Sequence, residues 1–231
     1  LGLFHALRSA PRTETEQDRE AVSECGEAYF KGGYQVNKDR LAAFTDAILA
    51  IIMTILVLEL KKPDEANWAA LWELRSDFLS YAVSFFWLGA MWVNIHAQWS
   101  RIEKINNKVV WWSIIMLFFA SFFPYVTSFV SEHFMSLFAH MFYSVIVILV
   151  SFANMALGHE VIKENGDEHS LSYSTKVIIA IDLGIKAVGI LLAILVYPPI
   201  AMFGIILAGA VVTFVPAIVN KRRNNDTTRS Y

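Results

Sequence analysis

The chain has 231 residues, of which 56% are hydrophobic and 17% charged, with a formal net charge of −2 and a mean hydropathy of +0.46. That is too apolar for an ordinary soluble domain, where about a quarter of residues are charged, and it supplies no basic field for nucleic acid. A single cysteine, Cys25, excludes an intrachain disulfide, so the composition is that of an integral membrane protein.

Residues 1–36 mix charge, Gly and Pro around the run TETEQDRE and predict a solvated tail, partly helical near Glu20 to Phe30. The apolar patch at Leu3, Phe4 and Leu7 is too short to anchor that tail by itself. No basic stretch leads into an apolar run and a small-residue cleavage site, so a signal peptide is not expected.

The stretch Asn37 to Leu60 reads NKDRLAAFTDAILAIIMTILVLEL, and from Leu41 onward only Thr45, Asp46, Thr54 and Glu59 are not apolar. Twenty helical residues at about 1.5 Å each reach about 30 Å, the thickness of a bilayer core. Leu41, Phe44, Ile48, Ile51, Ile55 and Leu58 recur at alternating steps of three and four. They are expected to form one apolar stripe able to pack against copies of itself. Arg40 and Asp46 sit at one end of this span, where ionisable groups need partners or water.

Pro63 ends the first span, and Asn67, Trp68, Leu71 and Trp72 predict a short amphipathic turn at the membrane interface. A second span is expected at 78–99, with Trp92 and His96 on one helical face and Asn94 close by. A third, at 109–130, carries a kink at Pro124, whose freed carbonyl needs another partner. A fourth is expected at 137–157, and a fifth and sixth at 177–196 and 200–219, joined at Tyr197, Pro198 and Pro199.

Six spans put both termini on one side. The flanks on that side hold Lys31, Lys38, Arg40, Arg101, Lys104, Lys108, Lys163, Lys176, Lys221, Arg222 and Arg223; the other side holds only Lys61, Lys62 and Arg75. The positive-inside rule therefore predicts cytoplasmic termini. The expected organisation is a tail at 1–36, a membrane domain at 37–220 and a second cytoplasmic tail at 221–231.

Within span five, Asp182 and Lys186 are four apart and are expected to pair. In span six, Ala201, Gly204 and Ala208 make a small-residue face that permits close helix approach. No GxGxxG, GxxxxGK[ST], CxxC or HExxH occurs and the histidines are scattered, so no cofactor and no bound metal are expected. There is also no TVGYG-like filter segment.

The segment RLAAFTD, with Arg40, Phe44, Thr45 and Asp46, resembles the RxxxFSD signature that opens the first helix of the transmembrane protein 175 family of potassium channels. FTDAILAIIMTILVLEL is similar to that family's FSDGVFAIAITLLVLEI pattern nearly position for position. WVNIH, from Trp92 to His96, resembles its tryptophan-to-histidine element, and FFPYVT its proline-containing segment in span three. The likeness covers about Asn37 to Leu157. The chain departs from the pattern at Thr45, where serine is commoner, at Ala47, where glycine is common, and at Ser113, where asparagine is expected.

The resemblance implies an all-α prokaryotic channel of the bacterial cell membrane. Four copies of a six-helix subunit would surround one central pore lined by the first helix, with K+ in transit and the bilayer as the other partners. It implies constrictions at Ile51, Ile55 and Leu58 with Thr54 beside them. It also implies a signature motif of Arg40, Phe44, Thr45 and Asp46, whose Arg40, Thr45 and Asp46 would form a polar cluster with Trp92, Asn94 and His96 that locks span one against span two. His96 is expected to be a hydrogen-bonded histidine more than a pH sensor. The alternative function is a secondary transporter using Asp46, Asp182 and Lys186 as coupling groups. A membrane enzyme is not expected, since no nucleophile, metal or acid–base set converges.

Overall fold

A computed structural model describes residues 37–99, 105–164 and 173–212, with side chains from 180 onward in the last segment. All of these belong to the larger of two units, Val36–Tyr231. The expectations for residues 1–36, for 213–219 of the sixth span and for the tail at 221–231 lie outside the described residues.

The described chain is helical: α1 (Lys38–Leu58), α2 (Trp68–Glu73), α3 (Arg75–Trp99), α4 (Asn107–Ala120), α5 (Phe123–Glu132), α6 (Leu137–Glu164) and α7 (Tyr173–Leu195), then α8 (Ile200–Val212). Asparagine starts three of them. The side chains of Asn37, Asn67 and Asn106 accept from the backbone N–H of Asp39, Ala70 and Val109 at 2.8–2.9 Å, each a cap contributing about 1 kcal/mol. Among the described residues, four stretches are long and apolar enough to cross a membrane: α1, α3, α4 with α5, and α6.

The third span is two helices, not one. The break falls at Ser121–Phe122, ahead of Pro124 in the first turn of α5, because proline lacks the N–H that would return to Ala120. At the break itself the Ser121 hydroxyl donates to the Phe118 carbonyl at 2.7 Å. The fourth span is longer than expected and reaches Glu164.

α4 lies along α6, α3 along α5, and α1 against α3, α4 and α5. Lys61, just beyond α1, pairs with Glu132 at the end of α5 at 3.0 Å. At the opposite end Asn106 donates to Glu164 at 2.8 Å. Ser84 meets Tyr143 at 3.0 Å and Gln98 meets Asn154 at 3.3 Å, so α3 and α6 run the same way. Trp87 stacks on Phe123 at 4.9 Å, and Phe123 meets Tyr143 edge-on. These three rings are buried where α3, α5 and α6 converge.

The last two helices form a tight hairpin. A Cβ on Gly204 would lie 3.0 Å from the Cα of Gly189, so the small-residue face of α8, with Ala201 and Ala208 buried, is seated on a glycine of α7. A Cβ on Gly209 would lie 3.1 Å from the Trp87 ring, which ties α8 to α3. In α7, Lys186 donates to Asp182 at 2.6 Å and to Ser151 of α6 at 2.8 Å, so the expected pair forms and gains a third member.

Candidate functional site: the open face of α1

α1 is the most apolar of the four membrane-length stretches and the least covered by its own chain. One face, Leu41, Thr45, Leu49, Ile52 and Leu56, is buried in the bundle. The other, Arg40, Phe44, Ala47, Ile51, Thr54, Ile55 and Leu58, is exposed along the full length of the helix. Steps of three and four give both faces.

The continuous stripe expected from the sequence therefore needs one correction. Leu41 is 3% exposed and points into the core, and Ile48 is half-buried, whereas Phe44, Ile51, Ile55 and Leu58 are 49%, 57%, 37% and 79% exposed. Nearly every side of α1 is apolar, so the register of its inward face follows from packing against α3, α4 and α5.

Thr54 shares the open face, and its hydroxyl donates back to the Ile51 carbonyl at 2.8 Å, which leaves the oxygen lone pairs directed outward as acceptors. Thr45 is buried, and its hydroxyl donates to the Leu41 carbonyl at 2.9 Å. Ser113 of α4 does the same to Val109 at 2.8 Å. Neither hydroxyl bridges helices by these bonds.

At the Asn37 end, the structure brings three of the seven signature residues together. The Trp92 indole Nε1–H donates to Asp46 Oδ1 at 2.8 Å, a charge-assisted bond joining α3 to α1. The His96 ring stacks on Trp92 with centroids 5.4 Å apart and 27° between planes. Asn94 donates to the Ala90 carbonyl one turn back at 3.0 Å. Arg40 and Phe44 are exposed. Among the described residues, no three His, Cys, Asp or Glu side chains converge as a metal site would require.

Sequence reasoning missed Ser151 as a partner of Lys186, Gly189 beneath α8, and the Lys61–Glu132 bridge. Ser151 and Glu132 carried no signal because they lie far from their partners in the chain, and Gly189 none because the turn between α7 and α8 does not by itself fix which residues meet.

An exposed apolar helix bearing RLAAFTD, and tied through Asp46 to a Trp–x–x–x–His turn, can be compared with known proteins. Residues 40–124, from that arginine to Pro124, match the family described as endosomal/lysosomal potassium channel TMEM175. A potassium channel of Chryseobacterium sp. (strain P1-3) is 33% identical over 136 residues, 59% of this chain and 71% of the relative. The chain belongs to the TMEM175 family.

A potassium channel of Chamaesiphon minutus is 25% identical over 157 residues, 62% of this chain and 77% of the relative. The crystal structure of a lysosomal potassium-selective channel TMEM175 homolog from the same organism superposes with a TM-score of 0.61 at 25% identity, covering 81% of this chain and 98% of the other. The molecule is thus an all-helical, multi-pass membrane protein with the TMEM175 fold, in a family of ion channels and not of enzymes.

Proposed function

We propose that this chain conducts K+ passively across a bacterial cell membrane, through a pore on the axis of a homotetramer in which α1 of each subunit faces the centre. Each subunit contributes six spans: α1, α3, α4 with α5, α6, α7 and α8. The excess of lysine and arginine near the Asn37 end supports cytoplasmic termini. One observation carries the reading: the most apolar helix leaves the face with Ile51, Ile55 and Leu58 uncovered by its own chain, in a protein whose relatives are named potassium channels.

Rings of isoleucine or leucine offer an ion no ligand, so passage demands partial loss of its water shell, and such a ring closes by dewetting. Potassium holds its water less tightly than sodium, so an apolar constriction penalises sodium more and gives a modest preference for potassium. Thr54, with its lone pairs outward between Ile51 and Ile55, eases rehydration between the rings. The Asp46–Trp92–His96 group supports α1 against α3, with Arg40, Phe44, Thr45 and Asn94 completing the signature end. In α7, Asp182 and Lys186 neutralise one another, which supports a pore over a carrier using them as coupling groups.

The test is potassium flux from loaded liposomes, followed by planar-bilayer recording, where unitary currents are expected. Saturable, proton-coupled flux without unitary currents would favour the carrier. Ile51→Asn supplies partial ligands at the constriction and is expected to lower the potassium-over-sodium preference severalfold in bi-ionic recordings. Reversal potentials identical to the parent protein would remove Ile51 from the filter.

A further inference from the structure

Away from the open face of α1, a seam of polar side chains runs through the interior where α3, α5 and α6 meet. The Ser84 hydroxyl lies 2.7 Å from Thr127 Oγ1 and 3.0 Å from the Tyr143 hydroxyl, joining the three helices in one knot. All three residues are buried, as are Ser80 and His140, both of which are 0% exposed.

His140 Nε2 is 2.8 Å from the Phe134 carbonyl oxygen. A carbonyl can only accept, so Nε2 carries the hydrogen, and in the neutral ring Nδ1 is then a bare acceptor. That Nδ1 is buried without a protein partner, and so is Ser80 Oγ. Each would cost about 1–3 kcal/mol if left unsatisfied, and native proteins rarely leave such groups unpaired.

The two atoms belong to one level of the bundle. α3 and α6 run in parallel, and the Ser84 and Tyr143 hydroxyls meet between them. Ser80 precedes Ser84 by four residues and His140 precedes Tyr143 by three. Both therefore lie about one turn, about 5 Å, from the knot toward the same end.

We propose that an ordered water molecule is bound between Ser80 and His140, accepting the Ser80 Oγ hydrogen and donating to His140 Nδ1. A buried water with two to four polar partners is a normal structural component. Its site lies within each subunit, enclosed by α3, α5 and α6, and separate from the open face of α1. Water here satisfies both orphaned atoms without drawing the helices together, and extends the hydroxyl knot by one turn.

Solid-state NMR of the full chain in lipid bilayers, with 15N-labelled histidine and His140 assigned by loss of its signals in His140→Gln, tests this. The expected result is a neutral ring protonated at Nε2, an Nδ1 shift characteristic of a hydrogen-bonded acceptor, and polarisation transfer from water to the ring. Ser80→Ala is expected to weaken or abolish that transfer while leaving the Nε2 signal in place. An Nδ1 shift of a non-bonded nitrogen, or an absence of transfer from water in the unmodified protein, overturns the proposal. So does transfer to the ring directly from the serine hydroxyl. The unmodified protein decides the question by itself should the variant not assemble.

Discussion

Two of the polar groups that join α3 to other helices do so in opposite settings. Ser84, Thr127 and Tyr143 are enclosed and bond only to one another. Asp46, Trp92 and His96 are exposed on the flank of the chain and are linked by one hydrogen bond and one ring stack. Hydrocarbon punishes an unmatched polar group wherever it lies. The enclosed group is complete within one chain and sets how its helices fit. The open group leaves acceptor capacity exposed beside the apolar face of α1.

A third group extends the comparison because it is enclosed and charged. Lys186 is 4% exposed and bonds both Asp182 and Ser151. Removing one partner of a buried ion pair leaves the other uncompensated and typically costs about 3–5 kcal/mol. Lys186→Met is therefore expected to give the largest loss of thermal stability in detergent, read by size-exclusion recovery after heating. Recovery equal to that of the parent would mean that the pair is dispensable to the attachment of α7 on α6.

Ser84→Ala follows. It strands two buried hydroxyls, at about 1–3 kcal/mol for an unsatisfied group, although cross-helix bonds measured in membranes average only about 0.6 kcal/mol. A loss of about 1–2 kcal/mol is expected in the same heating assay. Tyr143→Phe, which leaves the Ser84–Thr127 bond intact, is expected to cost less than Ser84→Ala. The reverse order would show that Ser84 is not the centre of the knot.

The contrast also separates what the sequence revealed from what it concealed. Asp182 and Lys186 are four apart, so helical geometry alone announces their pairing. Pro124 announces a break, though its place at Ser121–Phe122 depends on how the last turn of α4 is hydrogen-bonded. Ser84 stands 43 residues from Thr127 and 59 from Tyr143, separations at which no local pattern operates. The inward face of α1 was hidden for a different reason. Leu41 and Ile51 are chemically alike, and in a bilayer an apolar residue suits the core, lipid or a pore equally well, so only the neighbouring helices distinguish them.

Asp46→Asn probes the open group. The amide oxygen can still accept from Trp92, so the stability of the single subunit is expected to change by less than about 1 kcal/mol. If the group works between copies of the chain, tetramer yield on size exclusion and potassium flux should fall together. Normal tetramers without current would assign Asp46 a direct part in conduction, and normal behaviour in both would make it a local fastening of α1 to α3.

The smallest effect is expected at the rim, where Lys61 and Glu132 are both roughly half-exposed. The hydrogen bond that the Lys61 ammonium donates to Glu132 holds it above the ordinary lysine value, opposed by desolvation, with the charges of Glu132 and Asp77 adding to the rise. A value raised in the folded state means that the pair's contribution is complete at neutral pH and is lost as pH rises through the folded Lys61 value. Lys61→Ala should therefore differ little from the parent near pH 7, less still in high salt, and not at all at strongly alkaline pH. A large, salt-insensitive loss at neutral pH would instead mean that this bridge joins the enclosed class, fixing the end of α1 to α5 as firmly as Ser84 fixes α3 to α6.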